Sequence, residues 1–315
     1  MKIALLGTGF GIAHAGVYAS RPDVEVVVFG RSPQKLEGFA DKFGFATTTD
    51  LDSVYDDPAV DLVDICLPTH LHTEHILRAL DAGKHVLCEL PLAPSVEEAE
   101  RICAAAEASG KRVFVDLFMR LHPAVRHLHQ TIADGSLGQL KSLRSYRKAG
   151  PIWGPVPLGV DKLALEVMLS DLDYVAAALG LPRTFHARAV AADSQRAGAE
   201  TILAYDDAVV EFTASTMVPA AYGVAHGFEA TFTNGVLELH ERPFEQTGPQ
   251  MRLTEYTAAG RREIELTPTD NYSAAINHVL NCLTTGAPDT LLTPRAATDS
   301  LRLALDIHQA LTTAP

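Results

Sequence analysis

Gly7, Thr8, Gly9, Phe10 and Gly11 lie between an apolar stretch, residues 2–6, and a segment that can start a helix, residues 12–20. Glycines in such a turn let the backbone approach a pyrophosphate, which then lies against the unpaired N–H groups of the helix N-terminus. The spacing is G-x-G-x-G, and a lone motif of this kind can also be an ordinary turn. Strand, glycine turn and helix in this order nevertheless predict a nucleotide-binding site.

The second predicted strand, residues 24–29, is followed by side chains that suit a phosphate. An NAD-binding protein would carry an acidic residue near this position to bind the ribose 2′-hydroxyl. Here Arg31 and Ser32 occupy the position, and Lys35 lies one helical turn further on. A guanidinium and a hydroxyl can bind a 2′-phosphate. The pattern therefore favours NADP over NAD, and the alternative is that Arg31 is a solvated loop residue.

Strands and helices then alternate along the first half of the chain. We expect strands at residues 62–67, 85–88 and 113–117 and helices at 73–82 and 95–109, with Ser95 and Glu98 forming a capping box. This alternation is typical of a doubly wound parallel sheet, and ligands bind at the carboxyl edge of such a sheet. The residues at these strand ends are therefore further candidates for cofactor binding: Leu67, Pro68, Glu89, Leu90 and Pro91.

After Pro123 the pattern changes to short strands separated by turn signals such as Asp206-Asp207 and Asn234-Gly235. The predicted strands are 139–148, 184–191, 201–205, 209–213, 228–233 and 236–240, and the chain closes with helices near 272–285 and 295–312. We therefore predict an α/β protein of two domains. Residues 1–121 form an NADP-binding Rossmann domain, and residues 122–315 form an α+β domain with an open, mostly antiparallel sheet.

Four polar residues recur in an otherwise apolar segment of the second half. Lys162, Glu166, Ser170 and Asp173 are spaced four, four and three residues apart, which places them on one face of a predicted helix. Such a row faces either solvent or a binding site, and the sequence leaves both alternatives open.

Composition argues against several classes of function. The formal charge of −13 over 315 residues, with a pI near 5.4, argues against a nucleic-acid partner, because such partners need clustered Lys and Arg. The sequence has no apolar stretch of about 18 residues and no leader pattern, so we expect a cytoplasmic protein without membrane contacts. Four scattered cysteines form no CxxC pair, so we expect buried free thiols and no metal.

The chain resembles the glucose-fructose oxidoreductase and inositol dehydrogenase (Gfo/Idh/MocA) family. The resemblance rests on GTGFGIAHA (residues 7–15), LPTHLHTEHILRALDAGKHVLCELPL (67–92) and FMRLHPAVRHL (118–128), and it extends over essentially the whole length. It implies NAD(P)-dependent hydride transfer on a sugar, cyclitol or related small molecule. It also implies a homo-oligomer formed through the second sheet, and a helical C-terminus that partly packs back on the first domain. His72 matches a family histidine near the cofactor.

Two positions depart from the family's motifs. The usual Glu-Lys-Pro is Glu89-Leu90-Pro91, so Leu90 replaces the lysine that assists proton transfer, and Ser170 replaces the family's histidine. The resemblance therefore implies that the proton comes from elsewhere. The candidate catalytic residues of the second domain are Tyr146, Lys148, Lys162, Glu166, Ser170 and Asp173.

Three functions stay open at this point. The first is an NADP-dependent reductase of a keto-sugar or cyclitol with a relocated proton donor, because a general acid contributes roughly 10²–10⁴ in rate. The second is a reductase of an imine or conjugated acceptor, which needs less proton delivery and would use Leu90 as an apolar wall. The third is a nucleotide-binding or sensing protein without catalysis.

Overall fold

A computed structural model describes residues 1–150, 158–243, 250–267 and 269–313. The helices are α1 Gly11–Ala19, α2 Pro33–Phe43, α3 Asp52–Asp56, α4 His72–Asp81, α5 Val96–Ser109, α6 Pro123–Asp134, α7 Val160–Lys162, α8 Leu169–Leu179, α9 Asn271–Thr285 and α10 Pro294–Thr313. The strands of the N-terminal sheet are β1 Lys2–Leu6, β2 Glu25–Phe29, β3 Ala46–Thr48, β4 Val60–Ile65, β5 His85–Cys88 and β6 Val113–Val115. The second sheet contains β7 Leu140–Ala149, β8 Thr184–Ala191, β9 Ala197–Ala204, β10 Val209–Ser215, β11 Val224–Phe232, β12 Gly235–Arg242, β13 Gln250–Thr257 and β14 Gly260–Ile264.

The chain divides into two compact units. Unit 1 comprises Met1–Phe118 and Asp270–Thr298, and unit 2 comprises Met119–Thr269 and Asp299–Pro315. The chain returns to unit 1 through α9, which packs against α1. The domain boundary between residues 121 and 122 stays a prediction.

Unit 1 contains a six-stranded parallel sheet in the order β3-β2-β1-β4-β5-β6, as the alternating pattern predicted. Apart from Lys2, Asp61 and Asp64, the residues of the central strands β1 and β4 are apolar and buried, as expected of a parallel sheet covered on both faces. The strand order reverses between β1 and β4. The carboxyl ends of these two strands therefore flank the crevice in which such sheets bind ligands.

Unit 2 contains an eight-stranded sheet in the order β14-β13-β12-β11-β7-β10-β9-β8. Its strands pair antiparallel except for β7 with β10, which confirms the mostly antiparallel prediction. Helix α8 covers one face, because Tyr174 Oη donates to Ser145 Oγ at 3.0 Å and Arg147 Nε donates to Asp171 at 2.7 Å. Side chains alternate along a strand, so Tyr146 lies on the opposite face.

The prediction of one continuous α-helix through residues 162–173 is wrong. Helix α7 ends at Lys162, a π-helical turn spans Leu163–Met168, and α8 begins at Leu169. A π-turn pairs residues five apart instead of four, which breaks the expected spacing of the polar row. Lys162 and Glu166 are exposed, Ser170 is half-buried and Asp173 is buried, so the four residues do not form one uniform stripe.

Strands β13 and β14 have no counterpart among the sequence predictions. Strand β14 lies at the edge of the sheet and carries Arg261, Arg262 and Glu263, all exposed. Charged edge strands lack the apolar alternation by which strands are recognised in sequence, although they protect a sheet edge against unwanted pairing.

Two further predictions can be compared directly with the structure. All four cysteines are buried free thiols, as expected. No helix within the described ranges is both long and apolar enough to cross a membrane.

Helix α5 begins at the predicted N-cap, because Ser95 Oγ accepts a hydrogen bond from the Glu98 amide at 3.2 Å. Ser95→Ala leaves that amide without its acceptor, so we expect the free energy of unfolding to fall by about 1 kcal/mol in a urea titration. Ser95→Gly is the matched control and should cost only a few tenths of a kcal/mol. Equal stability of the wild type and Ser95→Ala would show that the cap contributes nothing.

Candidate functional site

The glycine turn after β1 is built by close backbone contacts. Gly7 has φ 115°, and a Cβ atom there would lie 2.4 Å from the carbonyl oxygen of Cys66. Gly7 therefore allows β1 to approach the end of β4 in a conformation that other residues rarely adopt. Gly11 is buried, and a Cβ there would touch a methyl group of Leu5 at 3.4 Å.

The exposed side of the same turn is open. Gly9 is exposed, and a Cβ there would meet no atom within 4 Å. Helix α1 starts two residues later, and its described first turn carries neither an acidic side chain nor a side-chain cap. A positive helix end beside open space fits a pyrophosphate. Thr8 is half-buried and Phe10 is exposed beside this space.

The residues predicted to bind a 2′-phosphate follow β2. Arg31 is exposed and makes no ion pair with any described residue. Ser32 caps α2, and its hydroxyl oxygen accepts from the Lys35 amide at 3.4 Å. The Lys35 side chain is exposed. Two cationic groups therefore lie close together in sequence at the N-terminus of α2.

The predicted strand-end residues lie on two loops that His72 ties together. Its Nδ1 lies 2.9 Å from the carbonyl oxygen of Pro91, and its Nε2 lies 2.7 Å from that of Leu67. Burial lowers the pKa of this histidine. A neutral imidazole has one N–H group, so it donates to only one of these two carbonyls at a time. Both ring nitrogens of His72 thus face backbone carbonyl oxygens of the protein. Pro68 is exposed and Leu90 half-buried on these loops.

A buried cluster of acids around His14 was not predicted from the sequence. His14 Nδ1 lies 2.8 Å from Asp64 Oδ2, which also accepts from Tyr18 Oη at 2.8 Å. On the other side of the ring, Nε2 lies 3.2 Å from Glu89 Oε1 and 3.4 Å from Asp116 Oδ2. His14, Asp64 and Asp116 are 0% exposed. One imidazole thus connects three carboxylates.

The charges in this cluster shift its protonation. Burial opposes the protonated form of His14, but the charge of Asp64, the hydrogen bond to Asp64 and the close approach of Asp116 raise its pKa well above the usual value. Burial and the charges of Glu89 and Asp64 raise the pKa of Asp116 to about 7, against the opposing effect of His14. Neither oxygen of Asp116 has a hydrogen-bond partner. We therefore expect Asp116 to gain or lose a proton near neutral pH.

The donor atoms of His14, Cys66 and Glu89 lie within 4.8 Å of one another, a spacing that a metal ion could use. The chemistry of the group fits a metal poorly. Burial raises the pKa of the Cys66 thiol, and only the thiolate is a good ligand. The arrangement is better described as a network of proton donors and acceptors.

In unit 2, one of two buried ion pairs contains Asp173, a residue that sequence analysis proposed for catalysis. Asp173 accepts two hydrogen bonds from Arg120, at 2.7 and 2.8 Å. A buried arginine thus holds both oxygens of Asp173, and the catalytic role of this residue stays a prediction. Asp171 is paired in the same way with Arg147 at 2.7 and 2.8 Å.

The candidate proton donors of unit 2 do not lie together. Tyr146 Oη lies 3.1 Å from His240 Nδ1, and the ammonium of Lys148 lies 5.9 Å from the Tyr146 ring centre. Both residues line an open pocket of 760 Å³ on the sheet face opposite α8. Ser170 belongs to α8 itself. One pocket of unit 2 therefore cannot contain all six candidates.

A weak signal for the His14 cluster is present in the sequence. Cys66, Glu89 and Asp116 each follow the last residue of a parallel strand, and Asp64 lies one residue before the end of β4. Polar residues at successive strand ends meet at one edge of a sheet. His14 lies three residues after Gly11, so the turn also brings it to this edge.

Comparison with known proteins supports an oxidoreductase fold. Residues 1–117 match the GFO_IDH_MocA family, described as an oxidoreductase family with an NAD-binding Rossmann fold. The chain is 34% identical over 167 residues to D-glucoside 3-dehydrogenase of Escherichia coli. This alignment covers 49% of this chain and 46% of the relative. It is also 35% identical over 155 residues to levoglucosan dehydrogenase of Pseudarthrobacter phenanthrenivorans. This second alignment covers 46% of this chain and 40% of the relative.

These alignments span less than half the length of the two curated relatives. The fold similarity extends further. The structure of UDP-N-acetylglucosamine 3-dehydrogenase from Acidithiobacillus ferrooxidans superimposes with a TM-score of 0.83 at 24% identity, over 99% of this chain and 97% of that one. Residues 1–117 therefore match the Gfo/Idh/MocA family of NAD-binding Rossmann folds, and the structural similarity shows that the whole chain shares the fold of this solved dehydrogenase.

Proposed function

We propose that the protein transfers a hydride between NADP and a small oxygenated metabolite such as a keto-sugar or cyclitol. The open space beside Gly9, at the unblocked N-terminus of α1, carries the proposal. The backbone there can approach a pyrophosphate, and the helix end can neutralise part of its charge. When bound, the nicotinamide cofactor supplies or accepts the hydride.

The preference for NADP is supported by Arg31. Its guanidinium is exposed and unpaired within the described chain, and Lys35 adds a second positive charge. No acidic side chain follows β2 to select the ribose 2′-hydroxyl of NAD. Arg31, Ser32 and Lys35 would bind the 2′-phosphate, and the glycine turn would bind the pyrophosphate.

A carbohydrate-like substrate is supported by the relatives, whose names specify a glucoside and levoglucosan. A reductase of imines or conjugated acceptors is the second candidate, favoured by the apolar side chain of Leu90 in the loop after β5. We also infer a homo-oligomer that forms through the sheet face of unit 2 on which Tyr146 and Lys148 lie.

Gly9→Val should abolish nucleotide binding without unfolding the protein, because its side chain enters open space where the pyrophosphate would lie. Fluorescence titration with NADPH and thermal unfolding measure the two effects. Gly7→Ala is the contrasting variant. It should lower the melting temperature, since its Cβ would clash with the Cys66 carbonyl. Wild-type affinity in Gly9→Val would show that the turn binds no nucleotide.

Arg31→Ala should weaken NADPH binding by roughly 10–100-fold and leave NADH binding unchanged, because a charge-assisted phosphate contact contributes about 1.5–3 kcal/mol. Titration with NADPH and with NADH gives the ratio of the two dissociation constants. Arg101→Ala removes the same charge from the exposed surface of α5 and should change neither affinity. Equal affinity of the wild type for NADPH and NADH would remove the basis for this preference.

Consumption of NADPH in the presence of substrate panels separates the candidate functions. We expect turnover with keto-sugars or keto-cyclitols and none with imines. Turnover with imines alone would support the second candidate. Tight NADPH binding without turnover on either panel would favour a nucleotide-sensing protein.

A further inference from the structure

Glu89 connects the buried His14 cluster to the carboxyl edge of the sheet. It follows β5 directly, and its side chain is 13% exposed, whereas the side chains of Asp64 and Asp116 are 0% exposed. Its Oε2 accepts from the Leu90 amide at 3.1 Å, and its Oε1 lies 3.2 Å from His14 Nε2. One oxygen is thus held by the backbone, and the other faces a proton donor.

The cluster must hold an extra proton to be buried at low cost. Three ionised carboxylates and one imidazolium would carry a net charge of −2 in a site where only the Glu89 side chain is partly exposed. An unpaired buried charge is expensive, so neutralisation by a proton is favoured. Asp116 is the natural holder, because neither of its oxygens is hydrogen-bonded and Oδ2 lies 3.4 Å from His14 Nε2.

The other titratable groups that face the cluster do not supply compensating charge. Burial raises the pKa of each of these hydroxyl and thiol groups, so all of them stay neutral near pH 7: Tyr18, Cys66, Cys88 and Tyr272. Tyr18 donates to Asp64, and the Tyr272 ring lies 5.6 Å from the ring of His14. Protonation inside the cluster is therefore shared among its carboxylates and His14.

We propose that Glu89 gives the substrate oxygen its proton and that His14 and Asp116 resupply Glu89. This inference rests on the proposed hydride transfer with a reduced nicotinamide cofactor. The hydride brings two electrons to the carbonyl carbon, and the C=O π pair moves onto oxygen, which takes a proton that His14 Nε2 has passed to the Glu89 carboxylate across 3.2 Å.

His14 Nε2 then recovers a proton from Asp116 across 3.4 Å, and Glu89 is again a carboxylate. Asp64 is a positioning residue, because it fixes the ring through Nδ1. After product leaves, solvent restores the missing proton through Glu89. In the direction of alcohol oxidation the same groups accept the proton. The site thus needs no lysine at position 90.

The first experiment uses the unliganded protein and does not depend on activity. Infrared spectra of the wild type and Asp116→Asn, recorded across neutral pH, should differ by one protonated carboxyl group that titrates in that range. Glu89→Gln should shift this titration, because the two carboxyl groups share His14. The proposed sharing of a proton among Glu89, His14 and Asp116 would be overturned by either of two results. The wild type would lack the protonated carboxyl group, or the Asp116 titration would be unaffected by Glu89→Gln.

The second experiment measures turnover and NADPH affinity in the same variants. Glu89→Gln should lower the rate of ketone reduction by roughly 10²-fold or more and leave NADPH affinity unchanged. Wild-type turnover should fall as pH rises through the titration of the cluster. Asp116→Asn should move this fall to lower pH, because the loss of the Asp116 charge weakens proton binding at His14.

Glu107→Gln removes an exposed carboxylate from α5, and this control should leave turnover within a few-fold of the wild type. A loss in Glu166→Gln but not in Glu89→Gln would contradict the inference. If the wild type binds no NADPH, the proposed function fails. The infrared titration still decides separately whether the cluster shares a proton.

Discussion

His14 lies in the interior of unit 1 with carboxylates on both sides of its ring, where water cannot stabilise their charges. The imidazole can connect them only because the parallel sheet brings the ends of β4, β5 and β6 to one edge while the glycine turn brings α1 to the same edge. The close contact of Gly7 with Cys66 places that turn. A change in the turn would therefore affect both the proposed pyrophosphate site and the acid cluster beside it.

The two units differ in how they satisfy buried charge. In unit 2, arginine and aspartate form two bidentate pairs, Arg120 with Asp173 and Arg147 with Asp171, in which each carboxylate has a permanent cation. Breaking such a pair leaves an uncompensated charge and costs several kcal/mol, so these pairs act as structural supports. In unit 1 the carboxylates around His14 outnumber the cations, and only protons can balance them. This difference makes the first cluster suitable for chemistry and the arginine pairs suitable for rigidity.

Local patterns predicted much of the fold. Ser95 lies at the start of α5, and strands 85–88 and 184–191 coincide with β5 and β8, because capping and apolar composition act within a few residues. The polar row of Lys162 to Asp173 was misread, because a π-turn interrupts the helix and the partner of Asp173 lies 53 residues away in the chain. The acid cluster was missed for the same reason, since His14 and Asp64 are 50 residues apart. Long-range pairs of this kind leave little trace in local spacing.

The direct measurement of the central claim is isotope transfer from cofactor to substrate. NADPH that carries deuterium at the transferable position of its nicotinamide ring would be incubated with the wild-type protein and a keto-sugar, and the product analysed by mass spectrometry. The account predicts that the alcohol formed carries the deuterium on the former carbonyl carbon, since the hydride moves directly from the nicotinamide ring to that carbon. Binding of NADPH without transfer of the label to any ketone would contradict the account and show that the fold retains the nucleotide site without the reaction.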